Sequence, residues 1–161
     1  MQTVTFENNK QVLEYATLNA DQILVLFSTY VEIEMIDAKL PENVIVASSF
    51  AQTYAGARKE RGFTGFVIDK NECEIVPIAD LPILSRYDLK KAYDKVKDNP
   101  NAFMYLIADG LSGQEDMILT SLYFMRTDFK MIGGSAGDTK HDETLIYYGS
   151  HRVKHLCIFV D

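Results

Sequence analysis

Hydrophobic and polar positions follow two periods along this chain, one typical of strands and one typical of helices. Eight stretches are rich in β-branched and aromatic residues and are bounded by turn-forming residues, so we predict them as strands. They are residues 23–30, 43–49, 62–69, 73–79, 102–109, 129–134, 144–149 and 154–161. Helical patterns lie between them, which predicts a mixed α/β fold of strand-helix-strand crossovers extended by β-hairpins.

Helical spacing of apolar residues occurs in four stretches, residues 9–19, 31–40, 86–97 and 113–126. The second stretch stops before Pro41, as a helix is expected to do. The fourth has the strongest start signal, because Ser112 and Glu115 have the spacing of a capping box. Its apolar residues from Met117 to Met125 lie on most sides of the helix. We therefore predict that another domain or a subunit, a second copy of the chain included, covers part of it.

The order of predicted elements repeats along the chain. Residues 20–80 and 102–161 each contain a strand, a helix, a second strand and two further strands. This order predicts a single domain over residues 1–161 built from two half-repeats, with a chance match of pattern as the alternative. Right-handed crossovers would bring four strand ends to one sheet edge, where α/β sheets usually bind ligands. The loops at these ends carry Ser28, Ser49, Asp109 and Ser135.

Composition excludes several classes of partner. The 16 basic and 23 acidic residues give a net charge of −7, which argues against nucleic-acid binding. The longest purely apolar run, Ile23 to Phe27, is too short to span a membrane, and the amino terminus lacks a signal-peptide pattern. Two distant cysteines favour a reducing, cytoplasmic location without disulfides. His151 and His155 are interpreted as solvated strand residues, so we expect no metal, and we expect no cofactor.

The stretch "IGGSAGD" (132–138) is the main candidate for chemistry, because Gly133, Gly134 and Gly137 surround Ser135. It matches the G-x-S-x-G pattern of a serine hydrolase, but the residues that follow predict a turn and a strand where that site requires a helix. We therefore assign no catalytic residue and keep a hydrolase as the alternative. The stretch also fits a tight turn with no ligand, in which the glycines only allow the backbone to turn.

The interpretation we favour is a backbone cradle for a small ligand. Glycine lets backbone amides approach a ligand closely, so these amides would hold an acidic group while Asp109 or Asp138 holds an amine. The glycine spacing matches no phosphate loop or dinucleotide fingerprint, so a nucleotide is disfavoured. A second anion position is predicted at the helix start after Gly110 and Ser112. Turn formation and helix capping would explain these same residues without a ligand.

Four motifs together resemble the FIST amino-terminal domain, an intracellular sensory module of signal-transduction proteins. They are "ASSFAQTYAG", "GFTGFVID", "YLIADGLSGQEDMILTSL" and "IGGSAGDTKHDETLIYYG", and the resemblance covers about residues 23–161. It implies a domain that binds a small ligand, with amino acids among the suggestions, and passes the signal to another module. It also implies that a carboxy-terminal FIST domain normally follows, which we expect to be absent because the sequence stops at "CIFVD".

The expected function is thus a non-catalytic sensory domain that binds an amino acid or small carboxylate and signals to a partner domain or protein. The alternatives are the hydrolase at Ser135 and an interaction scaffold without a small ligand. The predicted ligand-binding residues are Ser28, Ser49, Asp109, Gly110, Ser112, Gly133, Gly134, Ser135, Gly137 and Asp138.

Overall fold

The computed structural model describes residues 1–36, 39–49, 52–59, 61–137 and 143–161. They form two compact units, and each unit combines two separate parts of the sequence. The first unit contains Met1–Asn71 and Ala136–Arg152, and the second contains Glu72–Ser135 and Val153–Asp161. Sheets with interspersed helices confirm the predicted mixed α/β class.

The first unit is built on a six-stranded sheet in the order β1-β6-β2-β3-β10-β11. These strands are β1 (Gln2–Phe6), β2 (Gln22–Ser28), β3 (Val44–Ser48), β6 (Phe63–Asp69), β10 (Ile146–Tyr148) and β11 (His151–Arg152). Two helices, α1 (Asn9–Leu18) and α2 (Tyr30–Glu34), and a two-stranded ribbon of β4 (Gln52–Tyr54) and β5 (Ala57–Lys59) complete the unit.

Strands β2 and β3 form the centre of this sheet. They pair in parallel from Leu24 opposite Val44 to Ser28 opposite Ser48, with α2 in the crossover between them. Nearly every residue of both strands is buried, as expected for continuous apolar runs in a parallel pair. The predicted strand-helix-strand crossover is therefore confirmed in this unit.

The second unit is built on a four-stranded sheet in the order β7-β12-β8-β9. These strands are β7 (Cys73–Ile78), β8 (Phe103–Asp109), β9 (Lys130–Ala136) and β12 (His155–Val160). The helices are α3 (Arg86–Val96) and α4 (Glu115–Ser121), and a 3-10 helix precedes α3 at Pro82–Ser85. A further 3-10 turn, Lys70–Glu72, lies where the first unit passes into the second.

Strand β12 is the central strand of the second unit. It pairs antiparallel with both β7 and β8, and all six of its residues are buried. The apolar stripe predicted for α3 is confirmed, because Leu89, Ala92, Tyr93 and Val96 are buried in this unit's core. The core of the second unit thus combines this helix face with Cys157 and Phe159 of β12 and with residues of other strands and of α4.

Helices α2 and α4 are both shorter than predicted. Helix α2 ends at Glu34 and does not reach Pro41, because the bond from Ile36 N–H to Ile33 O already has the tighter 3-10 spacing. Helix α4 ends at Ser121, and the following bonds, such as Leu122 N–H to Leu119 O, also have 3-10 spacing. No helix in the described ranges is both long enough and apolar enough to cross a bilayer.

Four strands were missed from the sequence: β1, β4, β5 and β11. Strand β1 is largely exposed at the sheet edge, and its sequence "QTVTF" lacks an apolar run. Strands β10 and β11, which follow β9 in the sequence, belong to the sheet of the first unit. The two units therefore differ from the two sequence halves in which the elements repeat, and the half-repeats themselves stay a prediction.

Two adjacent glycines of β9 have opposite surroundings. Gly133 has φ +144°, and a Cβ built on it would lie 2.0 Å from the backbone oxygen of Leu106 in β8. A Cβ built on Gly134 would meet no atom within 4 Å. Only glycine fits at residue 133, whereas residue 134 accepts a side chain.

This contrast predicts different stabilities for two matched variants. We expect Gly133→Ala to lower the free energy of unfolding by at least about 2 kcal/mol, because the β8 backbone has to move. We expect Gly134→Ala to raise it by up to about 0.5–1 kcal/mol, because glycine weakens a strand. Urea denaturation of both variants measures the difference. Equal stability of the two would contradict the close approach of β9 to β8.

Candidate functional site

The loop after β8 is held by its own hydrogen bonds. The Asp109 Oδ1 atom accepts the N–H of Leu111 at 3.0 Å, and Lys154 Nζ lies 3.8 Å from Oδ2. The Ser112 hydroxyl donates to Asp109 O at 2.7 Å and accepts from the N–H of Gln114 at 3.2 Å. Asp109 therefore starts a turn, as the alternative without a ligand predicted. Gly110 is exposed in this turn.

The predicted capping box at the start of α4 is wrong. The residue that caps the helix is Gln114, and its side chain makes no capping bond. Ser112 bonds within the turn, and the carboxylate of Glu115 accepts instead from the Ser135 hydroxyl at 3.3 Å. Because Glu115 and Asp116 make the first turn acidic, their charges oppose the anion that we expected there.

His155 is buried, so the expectation of a solvated histidine is wrong. Its Nδ1 accepts the N–H of Asp109 at 2.9 Å, which leaves the proton on Nε2, 2.9 Å from Gln114 Oε1. Gln114 in turn donates to the carbonyl of Asp80 at 2.7 Å. Burial lowers the pKa of His155 and keeps the ring neutral. The apolar run that follows it in β12 was the sequence signal for a buried strand.

Ser135 does not lie on a nucleophile elbow. Strand β9 continues through the glycines to Ala136, so Ser135 is an exposed residue of an extended strand. Its hydroxyl donates to the carboxylate of Glu115 at 3.3 Å. Both ring nitrogens of His155 in the same unit bond to other groups. The described residues of this unit therefore contain no serine-histidine pair at Ser135.

A shallow cleft of about 270 Å³ opens beside the glycines of β9. Its lining consists of Leu106, Ala108, Glu115, Met131, Ile132, Gly133, Gly134 and Ser135. Among the described residues of this lining, Glu115 is the one that is ionisable, and the space next to Gly134 is open. Three predicted ligand residues thus share a cleft with Glu115, to which the sequence analysis gave only a capping role.

The other predicted residues lie in the first unit. Ser28 is fully buried, and its hydroxyl donates to the carbonyl of Gly62 at 2.6 Å. The N–H of Ser49 donates to Ser28 O at 2.7 Å, and the N–H of Gly137 donates to Ser48 O at 3.2 Å. The structure therefore brings Ser28, Ser49 and Gly137 together at the ends of β2 and β3. Asp138 lies outside the described residues, and its role stays a prediction.

The first unit contains a larger cleft that the sequence analysis missed. Its volume is about 580 Å³. The lining consists of Ile33, Glu34, Ile36, Lys39, Leu40, Tyr147, Gly149 and Ser150. These residues come from segments more than a hundred positions apart, so no local motif indicated the cleft.

A network of hydrogen bonds joins α2 to the segment before β10. The Tyr30 hydroxyl donates to Glu143 Oε2 at 2.9 Å, and the Arg152 guanidinium contacts Glu143 Oε1 at 2.5 Å. The hydrogen bond to Glu143, together with burial and Glu34, raises the pKa of Tyr30 to about 12. Tyr30 therefore stays protonated and keeps its donor role at every physiological pH. Across the described ranges, no three His, Cys, Asp or Glu side chains group as metal ligands would.

The family model of the FIST N domain matches residues 18–160, nearly the whole chain. The chain belongs to the FIST N domain family. This family is a sensory one that serves signal transduction, which supports the coarse functional expectation. Neither a curated protein nor a solved structure matches this FIST N domain. The ligand and the partner of the domain therefore have to be argued from its own geometry.

The buried, neutral His155 predicts a pH-dependent stability. Its pKa is lower in the folded protein than in the unfolded chain, so the unfolded chain binds the proton first as the pH falls below about 6.5. We expect the free energy of unfolding to fall with decreasing pH, with a contribution from this group of at most about 1.4 kcal/mol per pH unit. Urea denaturation at pH 7.5 and pH 5 measures the change.

The control for this experiment is the exposed His151. His155→Gln should reduce the difference between the two pH values, and His151→Gln should leave it unchanged. A His155→Gln variant with the full pH dependence of the native chain would show that the folded protein protonates this ring as readily as the unfolded chain does.

The buried hydroxyl of Ser28 predicts a structural cost. Ser28→Ala leaves the carbonyl of Gly62 without this donor, so we expect a loss of about 1–3 kcal/mol in the free energy of unfolding. The matched variant Ser135→Ala removes an exposed hydroxyl and should cost less than about 0.5 kcal/mol. Urea denaturation of both variants tests this, and an unchanged stability of Ser28→Ala would refute the structural role.

Proposed function

We propose that this FIST N domain is a sensor that binds a small, amine-bearing molecule beside Gly134 and leaves it chemically unchanged. The observation that supports the proposal most is the open cleft in which three predicted ligand residues meet the carboxylate of Glu115. We infer the chemical class of the ligand from the shape and charge of this cleft.

The backbone of β9 and β8 gives the cleft its shape. Gly133 lies against the backbone of Leu106, and Gly134 next to it leaves open space above the strand. Leu106, Ala108 and Ile132 provide apolar contacts around this space. A ligand with a short apolar body would lie on these residues and remove their surface from water.

Charge selects the polar end of the ligand. Glu115 provides a carboxylate at the cleft, and the Ser135 hydroxyl is within hydrogen-bond distance of it. An ammonium group would form a charge-assisted hydrogen bond with Glu115, whereas a ligand carboxylate would be repelled. We therefore narrow the expected amino acid or small carboxylate to compounds that carry an amine.

The position of Glu115 also provides a route for the signal. It is the first residue of α4, the helix whose exposed apolar residues include Met117 and Leu119. An ammonium bound to Glu115 cancels one of the two negative charges in the first turn of α4. We propose that this change alters the helix surface that a partner domain or protein contacts.

A thermal-shift comparison of three compounds tests the ligand class. Leucine and leucine methyl ester keep the amine, whereas N-acetyl-leucine lacks it. We expect the first two to raise the unfolding temperature and the third to have no effect. At a ligand concentration one hundred times the dissociation constant, binding adds about 2.7 kcal/mol to the free energy of unfolding. An equal effect of all three compounds would refute recognition through an amine.

Three variants locate the site. Gly134→Val fills the open space with a residue that strands favour, and Glu115→Gln removes the charge, so both should abolish the temperature shift. Lys39→Glu changes the cleft of the first unit and serves as the control, with an expected native response. Loss of the response in Lys39→Glu alone would move the ligand to the first unit and refute the proposed site.

A further inference from the structure

Exposed apolar side chains are concentrated in the second unit. Fourteen large apolar side chains are exposed among the described residues, and four of them, Met1, Leu18, Val31 and Met35, lie in the first unit. The remaining ten lie in the second unit. Isolated exposed apolar residues are common, but a contiguous group of them marks an interaction surface.

Two segments of the second unit lie side by side and join many of these residues. Helix α4 packs against the 3-10 helix Pro82–Ser85. At one end, Gln114 donates to the carbonyl of Asp80 at 2.7 Å. At the other end, the guanidinium of Arg86 lies 4.6 Å from the centre of the Tyr123 ring. The exposed apolar residues of α4, of the 3-10 helix and of the start of α3 therefore belong to neighbouring segments, and we treat them together as one surface.

We call this surface the α4 face and define it by Ile83, Leu84, Tyr87, Met117, Leu119 and Tyr123. These side chains are between 43% and 77% exposed. Because a large side chain carries about 200 Å² when fully exposed, the α4 face presents on the order of 700 Å². This summed area is of the same order as the roughly 300–600 Å² of the largest patch on a typical monomer and the ~800 Å² per partner of a stable interface.

The charges around the α4 face complement each other across a two-fold axis. Asp116 in the first turn of α4 and Asp80 beside Gln114 make one end acidic. Arg86, stacked on Tyr123, lies at the other end. When two copies meet with their α4 helices antiparallel, Arg86 of each copy faces the acidic end of the other. A two-fold interface requires this kind of self-complementarity.

We infer that the α4 face is a homodimer interface and that the partner is a second copy of this chain in antiparallel arrangement. The apolar residues provide the buried area, and the charges set the orientation. The net charge of −7 makes two copies repel each other, so the apolar contact has to outweigh this repulsion.

Sedimentation equilibrium of the full chain between about 1 and 100 μM in buffered salt tests the inference. We expect a mass of twice 18.2 kDa, and we expect Leu84→Glu to raise the dissociation constant at least about thirty-fold. Leu18→Glu alters a residue that is 84% exposed in the first unit, so it is the matched control and should leave the dimer unchanged. Circular dichroism checks that both variants are folded.

A charge-reversal pair tests the orientation. Arg86→Glu and Asp116→Arg should each weaken the dimer about ten-fold, and the double variant should recover most of that loss. A native chain that stays monomeric at 100 μM would overturn the inference, and so would a dimer that Leu84→Glu leaves intact. Failure of the double variant to recover would overturn the antiparallel arrangement.

Discussion

The close approach of β9 to β8 at Gly133 is the constraint on which the second unit depends. No side chain fits between Gly133 and the backbone of Leu106, so β9 can lie in the sheet only with glycine there. The next residues then extend along the sheet edge, with open space at Gly134 and the Ser135 hydroxyl at the start of α4. The contact between β9 and β8 thus shapes the wall of the cleft that Glu115 also lines.

Most polar residues that the sequence suggested as ligand contacts form hydrogen bonds with the protein's own backbone groups. Asp109 and Ser112 close a turn, and Ser28 satisfies a buried carbonyl. The physical reason is general, because a polar group next to a buried strand needs a partner whether or not a ligand exists. Glu115 is different, because its carboxylate accepts from the exposed hydroxyl of Ser135 and lines an open cleft. A sequence pattern cannot separate these two situations.

The sequence predicted strands well where the chain has an apolar run and poorly where it has none. Strands β2, β3, β8 and β12 are apolar runs, and these runs made the strands recognisable in the sequence. Strand β1 is polar and exposed, and β11 has only two residues, so neither carries a signal. The need for glycine at residue 133 and the burial of His155 both depend on pairing with distant strands. Such non-local contacts are not encoded in any short segment.

The interleaved assembly of the two units has a consequence for the order in which they form during synthesis. The sheet of the first unit needs β10 and β11, and the sheet of the second unit has β12 at its centre. On the ribosome, a nascent chain that has produced the first hundred residues still lacks strands of both sheets. The first unit therefore remains incomplete until translation has passed Arg152, and the second until it has passed Val160. Neither unit corresponds to a contiguous stretch that can be expressed alone.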